Sequence, residues 1–519
     1  MTLPPPDAWP VDEPLEESSS DLLRERAAST PEATAIVETD EGQSWTYGEF
    51  DERVSARTDA LSGVADISGE RVGVLLETRL AFAELYFATG RLGASAVALN
   101  VDLPAERLRS QVERADVDAV ICSRPTEQLA TDLTPADVSL ASVDEPAFDR
   151  TASLRRREPT REREDTRPLD AERLVVFTSG TSGDPKGVRL TRRNLVASAV
   201  GSAHRLGVDA DDRWLVCLPM YHTGGLAPLV RSTLYGTTTV IQREFDAERT
   251  AAVMDEFDVS GVSLVPTMLT RLLDAGWSPA ASLRFVLLGG APASREVVER
   301  CADRGVPAHP TYGMTETASQ VATATPAESR AHPDTVGKPL RRTTVTVVDG
   351  DGDSVETGAT GELVVDGPTV TPGYLDADRT ADAFGERGFH TGDLGDTDDG
   401  GRLWVVGRAD DGIVTGGETV HPARVVDALR AIDGVADAAV VGLPDEAWGE
   451  RVAALVVPVE SAADRAARSS RRVREAARER LADFAVPKTV AFTDELPRTG
   501  SGTVDRNAVR ERLLDAQSD

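Results

Sequence analysis

The most informative segment of the chain is Phe177-Thr178-Ser179-Gly180-Thr181-Ser182-Gly183-Asp184-Pro185-Lys186-Gly187, which holds three glycines, four hydroxyl side chains and one lysine. It follows an apolar run of strand composition at 174–177 and precedes a helical pattern at 194–200. Glycines let backbone amides approach an anion, hydroxyls donate to phosphate oxygens, and the lysine adds positive charge. We therefore predict a phosphate-binding loop between a strand and a helix. A plain surface turn is the alternative, and a Walker A loop is excluded because Pro185 and Gly187 flank the lysine.

The composition makes that lysine unusual. Lysine occurs only at Lys186, Lys338 and Lys488, and every other basic side chain that is not histidine is arginine. The chain has 87 acidic against 56 basic residues and a net charge of -31. Such a charge repels nucleic acid and anionic membranes, so we expect neither as a partner. It also predicts a halophilic protein, because concentrated salt screens the repulsion; an acidic protein from an ordinary cell is the alternative.

The pattern along the chain favours an α/β fold with more than one domain. The 519 residues are 40% hydrophobic, which is enough for several cores. Short Val/Leu/Ile-rich runs such as 72–76 and 285–288 alternate with alanine-rich helical patterns. From about residue 341 the segments become short and β-rich, which predicts a β subdomain. Mixed helices and strands return after about residue 411 and predict a small further domain.

Cysteine usage and the N-terminal segment point to the cytoplasm. Cys122, Cys217 and Cys301 are odd in number and widely spaced, so we expect buried thiols in a reducing compartment. Residues 1–7 lack the features of a signal peptide, and no apolar stretch is long enough to span a membrane. We interpret the charge-rich segment 155–167 as an exposed connector.

Four further sequence segments are informative when they are considered together with the glycine-rich loop. They are PMYHTGG at 219–225, YGMTET at 312–317, HTGDLG at 390–395 and GRADD at 407–411. In this order, from roughly Trp45 to Arg506, they resemble the adenylate-forming superfamily of acyl-CoA synthetases, aryl-CoA ligases, luciferases and peptide-synthetase adenylation domains. The resemblance implies a large N-terminal domain at 1–409, a hinge near Asp410, and a small mobile C-terminal α+β domain at 410–519. It also implies two half-reactions, in which ATP with Mg²⁺ first converts a carboxylate to an acyl-adenylate and CoA then displaces AMP.

The same resemblance implies a role for each matching residue. Lys186, His222, Thr315 and Glu316 would be catalytic, with Glu316 binding magnesium and His222 lining the acyl pocket. The loop residues that would bind ATP phosphates are Thr178, Ser179, Gly180, Thr181, Ser182, Gly183 and Lys186. The remaining contacts to the nucleotide and acyl group would come from Gly289, Gly290, Ala291, Tyr312, Gly313, Thr315, Asp393 and Arg408. Gly416 and Gly417 would line the thiol channel, where glycines leave room for pantetheine.

One position departs from the superfamily pattern. The segment 496–506 reads LPRTGSGTVDR, and Thr503 stands where the superfamily usually has a lysine that bridges the substrate carboxylate and ribose. We expect this change to slow adenylation and to leave thioester formation largely intact. Lys488, Arg498 and Arg506 are the nearby cations in the sequence.

Segments 219–240, 265–269, 287–292 and 312–320 most resemble the o-succinylbenzoate:CoA ligases of menaquinone biosynthesis, a group within the superfamily. A dianionic acid of this kind needs a polar anchor for its second carboxylate, for which the candidates are Ser319, Thr267, Arg231 and His222. A medium-chain fatty or aromatic acyl-CoA synthetase is the alternative. A stand-alone enzyme that loads a carrier protein is a further one, which we disfavour because no carrier domain follows Arg506. The sequence leaves open whether the protein is a homodimer.

Overall fold

The computed structural model describes residues 21–64, 67, 71–156, 163–178, 185–445, 448–459, 469–498 and 504–516. The chain divides into two compact units. The first contains 1–289, 295–345 and 365–389, and the second contains 290–294, 346–364 and 390–519. The expected α/β fold is confirmed, whereas the boundary at Asp410 stays a prediction.

Two sheets organise the first unit. The larger has nine strands in the order Lys338–Pro339, Ala322–Thr323, Ala308–Tyr312, Phe285–Leu288, Gly261–Leu264, Arg213–Val216, Thr238–Ile241, Thr34–Glu38 and Gln43–Thr46. Its strands are parallel from Ala308–Tyr312 to Thr34–Glu38. The other has eight strands in the order Gly373–Tyr374, Lys186–Thr191, Glu172–Thr178, Ser95–Ala98, Arg71–Leu75, Ala119–Cys122, Ser139–Ser142 and Ala152–Ser153.

The helices of the first unit follow the strands in the alternating manner that parallel sheets require. Their bounds are Leu22–Ser29, Tyr47–Ser62, Leu80–Arg91, Ala105–Ala115, Glu127–Leu133, Arg192–Leu206, Thr223–Tyr235, Ala247–Glu256, Pro266–Asp274, Arg295–Asp303, Pro326–Ala331 and Ala377–Ala383. Local sequence sets several starts. Thr46 and Glu49 form a capping box at Tyr47–Ser62, and Thr191 and Asn194 form one at Arg192–Leu206. Each box satisfies amide groups that the first helical turn leaves without partners.

The core of the first unit includes the helix Leu80–Arg91, every residue of which is buried. Two charged residues on this helix are therefore paired. Glu84 accepts hydrogen bonds from Arg53 and Arg57 at 2.7–3.0 Å, and Arg91 contacts the Asp21 carboxylate at 2.6 Å. Pairing is the condition under which such charges stay in an apolar interior.

The second unit contains most of a five-stranded sheet and all of another. The first of these sheets contains Thr344–Val348, Gly361–Asp366, Phe384–Gly385, Gly388–Thr397 and Leu403–Arg408. The other has the order Glu418–Val420, Ile413–Thr415, Gly449–Pro458 and Val435–Asp445, with Thr489–Phe492 beside Gly449–Pro458. Among the described residues, three α-helices accompany them, Pro422–Arg430, Ser470–Arg478 and Arg506–Asp515.

Two expectations about local structure are wrong. The glycine-rich loop does not lead directly into a helix, because Lys186 begins the strand Lys186–Thr191, which pairs antiparallel with Glu172–Thr178 before the helix begins at Arg192. Residues 157–162 of the expected exposed connector at 155–167 lie outside the described residues, and the described remainder is not wholly exposed. Asp165 is only 6% exposed and lies 3.3 Å from Arg167 and 3.5 Å from Arg173, which compensate its charge.

The expectation about the thiols is confirmed, because Cys122, Cys217 and Cys301 are all free and buried. Burial raises the pKa of the Cys301 thiol to about 11, so it stays protonated and unreactive at neutral pH. Within the part of the chain that the structure describes, no helix is both long and apolar enough to cross a bilayer.

Candidate active site

One edge of the nine-stranded sheet gathers several predicted site residues. Four parallel neighbours end there, namely Arg213–Val216, Gly261–Leu264, Phe285–Leu288 and Ala308–Tyr312. The segments at or just after their carboxyl ends carry His222, Thr267, Gly289 and Tyr312. Ligands of open α/β sheets bind at this edge, because the connecting loops and helix starts converge there. The structure thus brings together residues that lie up to 90 positions apart in the sequence.

The base of the glycine-rich loop is a strand pair. Thr178 and Lys186 are directly opposite each other across the antiparallel strands. The remaining predicted phosphate ligands, Ser179, Gly180, Thr181, Ser182 and Gly183, lie outside the described residues. The described part therefore places the two ends of the loop side by side.

Lys186 and Glu316 approach a common residue, Tyr374. The Tyr374 hydroxyl donates a hydrogen bond to Glu316 Oε1 at 2.9 Å. Lys186 Nζ lies 5.3 Å from the centroid of the same tyrosine ring, within the range of a cation–π interaction. The glutamate belongs to the short 3-10 helix Thr315–Thr317, so the structure also brings Thr315 to this cluster.

His222 occupies a half-buried position at the start of the helix Thr223–Tyr235. Its ring centroid lies 4.9 Å from that of Tyr221, whose hydroxyl donates to Asp102 Oδ2 at 2.7 Å. Burial lowers the pKa of His222, and the Asp102 charge opposes that shift without overcoming it. The imidazole is therefore neutral at pH 7. Its Nε2 atom is buried and has no hydrogen-bond partner among the described residues.

The backbone after Thr315–Thr317 is strained. Ala318 and Ser319 adopt φ angles of +54° and +124°, which residues with side chains rarely do. Ser198 Oγ donates to the Ala318 carbonyl at 3.0 Å and supports this conformation. A Cβ atom on Gly313 would lie 1.7 Å from the Ser319 carbonyl oxygen, so only glycine fits beneath this turn. The conformation exposes Ser319 in part, whereas Ala318 is fully buried.

In the second unit, Asp393 and Arg408 are paired across neighbouring strands. Arg408 Nη1 lies 3.4 Å from Asp393 Oδ1, and Arg408 Nε donates to Asp410 Oδ1 at 3.1 Å. One guanidinium thus joins the predicted ribose-binding carboxylate to the predicted hinge residue. Gly290, with a φ of +77°, and Ala291 also belong to this unit.

Gly416 and Gly417 form the two-residue turn between Ile413–Thr415 and Glu418–Val420. Their φ angles of +62° and +89° are both positive, as a two-residue hairpin of the type I′ class requires. The ring of Trp448 packs against Gly416, and Lys488 Nζ lies 3.5 Å from the centroid of that ring. Arg506 forms an ion pair with Asp411. Thr503 lies outside the described residues, so its expected effect on adenylation stays a prediction.

Arg231 is not a suitable anchor for a substrate carboxylate. The guanidinium is buried, donates to Ser202 Oγ at 2.5 Å and to the Gly207 carbonyl at 2.8 Å, and stacks 4.4 Å from the Trp214 ring. Burial lowers the pKa of Arg231 to about 10, which still leaves it charged at neutral pH. The guanidinium of Arg231 therefore has a structural role in the interior of the protein.

Sequence reasoning missed Tyr374 and Asp102. Tyr374 belongs to an ordinary GYL segment, and Asp102 lies in the loop before the helix Ala105–Ala115. Neither lies in a motif, and each joins the site only through tertiary contact.

Comparison with known proteins identifies the family of this chain. The sequence model of the AMP-binding enzyme family matches residues 23–375, and that of the AMP-binding enzyme C-terminal domain matches residues 426–503. The chain belongs to the AMP-binding enzyme family.

Individual relatives are similar over almost their whole length. The 2-succinylbenzoate–CoA ligase of Bacillus thuringiensis subsp. konkukian is 36% identical over 502 residues, which cover 95% of this chain and 98% of the relative. The o-succinylbenzoate CoA synthetase of Bacillus subtilis in complex with the acyl-adenylate intermediate is 31% identical, with a TM-score of 0.85, covering 95% of this chain and 98% of that one. The same synthetase with ATP and a magnesium ion gives a TM-score of 0.84 at 31% identity, covering 96% and 99%.

Proposed function

We propose that this protein is an ATP-dependent acid:CoA ligase that converts o-succinylbenzoate to o-succinylbenzoyl-CoA in menaquinone biosynthesis. The observation that carries the proposal is similarity over 95% of the chain to a synthetase whose structure holds the o-succinylbenzoyl adenylate. The curated relative with 36% identity has the corresponding activity in its name. The cluster of Lys186, Glu316 and Tyr374 supports the nucleotide part of this reaction.

The chemistry proceeds by two displacements. A carboxylate oxygen of the acid attacks the α-phosphorus of ATP, and pyrophosphate leaves, which forms the acyl-adenylate. The sulfur of CoA then attacks the acyl carbon, loses its proton, and AMP leaves. Activation is needed because a carboxylate is a poor electrophile, whereas AMP is a good leaving group from the mixed anhydride. Groups that stabilise phosphate charge therefore act in the first displacement.

The residues of the first unit fit that first displacement. We assign the point charge of Lys186 to the phosphates and Thr315, the neighbour of Glu316 in the same 3-10 helix, to the α-phosphate. Magnesium, when bound, neutralises phosphate charge. Glu316 fits its site, because Mg²⁺ in nucleotide enzymes commonly takes one or two carboxylates together with phosphates.

The acyl group would lie against neutral His222, with Ser319 and Thr267 as candidate partners of the second carboxylate. We assign the ribose to Asp393 and Arg408, and the thiol channel to the Gly416–Gly417 turn, whose glycines add no side chain of their own. Asp410 would be the hinge between an N-terminal domain at 1–409 and a C-terminal domain at 410–519. We further propose a cytoplasmic enzyme adapted to concentrated salt; a homodimer remains an open proposal.

The test is an assay of AMP and acyl-CoA formation by purified protein in molar KCl with ATP, Mg²⁺ and CoA. The acids compared are o-succinylbenzoate, benzoate and octanoate. We expect AMP and acyl-CoA in equal amounts and the highest kcat/KM for o-succinylbenzoate. A preference for benzoate or octanoate would instead assign an aromatic or medium-chain acyl-CoA synthetase. AMP release that requires a carrier protein in place of CoA would assign a carrier-loading enzyme.

A further inference from the structure

Tyr374 contacts both of the charged residues that the proposed reaction needs. Its hydroxyl contacts the Glu316 carboxylate at 2.9 Å, and its ring faces Lys186 Nζ at 5.3 Å from the centroid. The side chain of Tyr374 is only 4% exposed, so neighbouring residues restrict its orientation. Three segments distant in the sequence meet at this one ring.

The backbone holds Tyr374 firmly against both partners. The strand Gly373–Tyr374 pairs with Lys186–Thr191, with Tyr374 opposite Val188, and the next residue donates its amide to the Gly187 carbonyl at 2.8 Å. On the other side, the Thr371 amide donates to the Glu316 carbonyl at 2.7 Å. The segment around Tyr374 is therefore hydrogen-bonded both to the strand that begins with Lys186 and to Glu316 itself.

The arrangement keeps the two charges apart. Within the described ranges, neither Lys186 nor Glu316 forms an ion pair of 4 Å or less, although Tyr374 contacts both. The tyrosine hydroxyl donates to one carboxylate oxygen of Glu316, and no other described side chain or backbone amide donates to either oxygen. One carboxylate oxygen and the lysine ammonium thus stay available for a ligand.

We propose that Tyr374 is a positioning residue for the ATP-dependent step. Its hydroxyl orients Glu316 toward a divalent cation, and its ring separates Lys186 from Glu316 so that the lysine can bind phosphate. This inference rests on the proposed function. Partners of a metal-binding side chain typically change metal affinity or activity 10- to 100-fold when they are removed, because they fix the orientation of the ligand.

Two substitutions separate the two roles. Tyr374→Phe keeps the ring and removes the hydroxyl, whereas Tyr374→Leu removes both. The matched control is Tyr86→Phe, because Tyr86 is also 4% exposed and its ring also faces a cation, Arg173, at 4.4 Å. The probe is Mn²⁺ with the non-hydrolysable analogue α,β-methylene-ATP, and free Mn²⁺ is measured by electron paramagnetic resonance.

We expect Tyr374→Phe to weaken Mn²⁺ binding in the presence of the analogue about tenfold, with the affinity for the metal-free analogue unchanged. Tyr374→Leu should weaken both, and Tyr86→Phe neither. In the Glu316→Gln background, Tyr374→Phe should have no further effect on Mn²⁺ binding, since its partner is gone. That background also keeps the inference testable if Tyr374→Leu fails to fold.

Equal Mn²⁺ affinity in wild type and Tyr374→Phe would overturn the inference while leaving the proposed function intact. A wild-type protein that binds neither the analogue nor Mn²⁺ would refute the proposed function itself. The two half-reactions give a further readout: Tyr374→Phe should raise the Mg²⁺ concentration for half-maximal adenylation and leave CoA transfer from preformed acyl-adenylate unchanged. An equal fall in both half-reactions would indicate a merely structural role and contradict the inference.

Discussion

Single residues in this protein act through the partners that fix them. His222 is neutral because burial lowers its pKa, and the adjacent Tyr221 is held by Asp102. Burial, followed by the hydrogen bond to Asp102, raises the pKa of Tyr221, so its hydroxyl remains a donor. A neutral imidazole suits an acyl pocket, since it adds no fixed charge beside an uncharged acyl carbon.

Thr503→Lys should accelerate adenylation. The superfamily resemblance places a lysine at this position to contact the substrate carboxylate, and a charged donor in a desolvated site contributes more than a hydroxyl. We expect the rate of acid-dependent pyrophosphate exchange to rise about tenfold or more, with CoA transfer from preformed acyl-adenylate unchanged. Thr499→Lys, in the same segment, is the control. An unchanged exchange rate in the Thr503 variant would show that another group already performs this role.

Gly313→Ala should destabilise the first unit by about 1–3 kcal/mol or more, as overpacking typically does. The added methyl would meet the Ser319 carbonyl at 1.7 Å, and backbone that is already strained cannot move away at low cost. Urea unfolding measures the change. Gly350→Ala is the matched control, because nothing lies within 4 Å of its added Cβ. Equal unfolding midpoints for the two variants would contradict this account of the turn.

At the level of elements, the sequence predicts the helices and strands that depend on local composition and capping. It does not predict those whose formation depends on pairing with strands distant in the sequence. The strand before the glycine-rich loop and the helix after it are both correct, because composition and capping are local signals. The strand Lys186–Thr191 was missed because its stability comes from pairing with Glu172–Thr178 and Gly373–Tyr374. Tyr374 was missed for the same reason. Motif residues carry their own signal, but their supporting partners become visible only when strands are aligned.

The strand Ala308–Tyr312 provides a pH-dependent contribution to stability through His309. Burial lowers the pKa of His309, although Nδ1 donates to the Pro307 carbonyl at 2.9 Å and Glu328 adds an opposing charge. The unfolded chain therefore binds a proton more readily, near the ordinary pKa of about 6.5. The contribution is complete above that pH and is lost as the pH falls toward the lower, folded pKa.

We therefore expect the free energy of unfolding to rise between pH 5 and 7.5, and His309→Gln to flatten that rise by up to about 1.4 kcal/mol per pH unit. Urea titrations at a series of pH values measure it, with the difference between variant and wild type taken at each pH. If the free energy of unfolding of His309→Gln rose with pH as steeply as that of the wild type, His309 would not contribute to the pH dependence.

For the whole molecule, the net charge of -31 is the dominant electrostatic feature. Many arginines are paired with carboxylates at the surface, such as Arg471 with Glu475 at 2.8 Å and Arg300 with Asp274 at 2.5 Å. Exposed pairs of this kind contribute only about 0–1 kcal/mol each. The acidic excess remains after every basic residue has a partner, because 87 carboxylates face 56 cations. Repulsion among the excess carboxylates should therefore outweigh the attraction within the ion pairs, and salt screens both.

Stability should consequently increase with salt. The screening length falls from about 10 Å at 0.1 M to about 3 Å at 1 M salt, so we expect the urea midpoint to rise steeply up to about 1 M KCl and more slowly beyond. NaCl at equal ionic strength should give the same curve, whereas sucrose, which does not screen charge, should not reproduce it. A protein stabilised by its surface ion pairs would behave in the opposite way, with its highest midpoint at low salt. That outcome would show that paired arginines, rather than unpaired carboxylates, govern the stability of this chain.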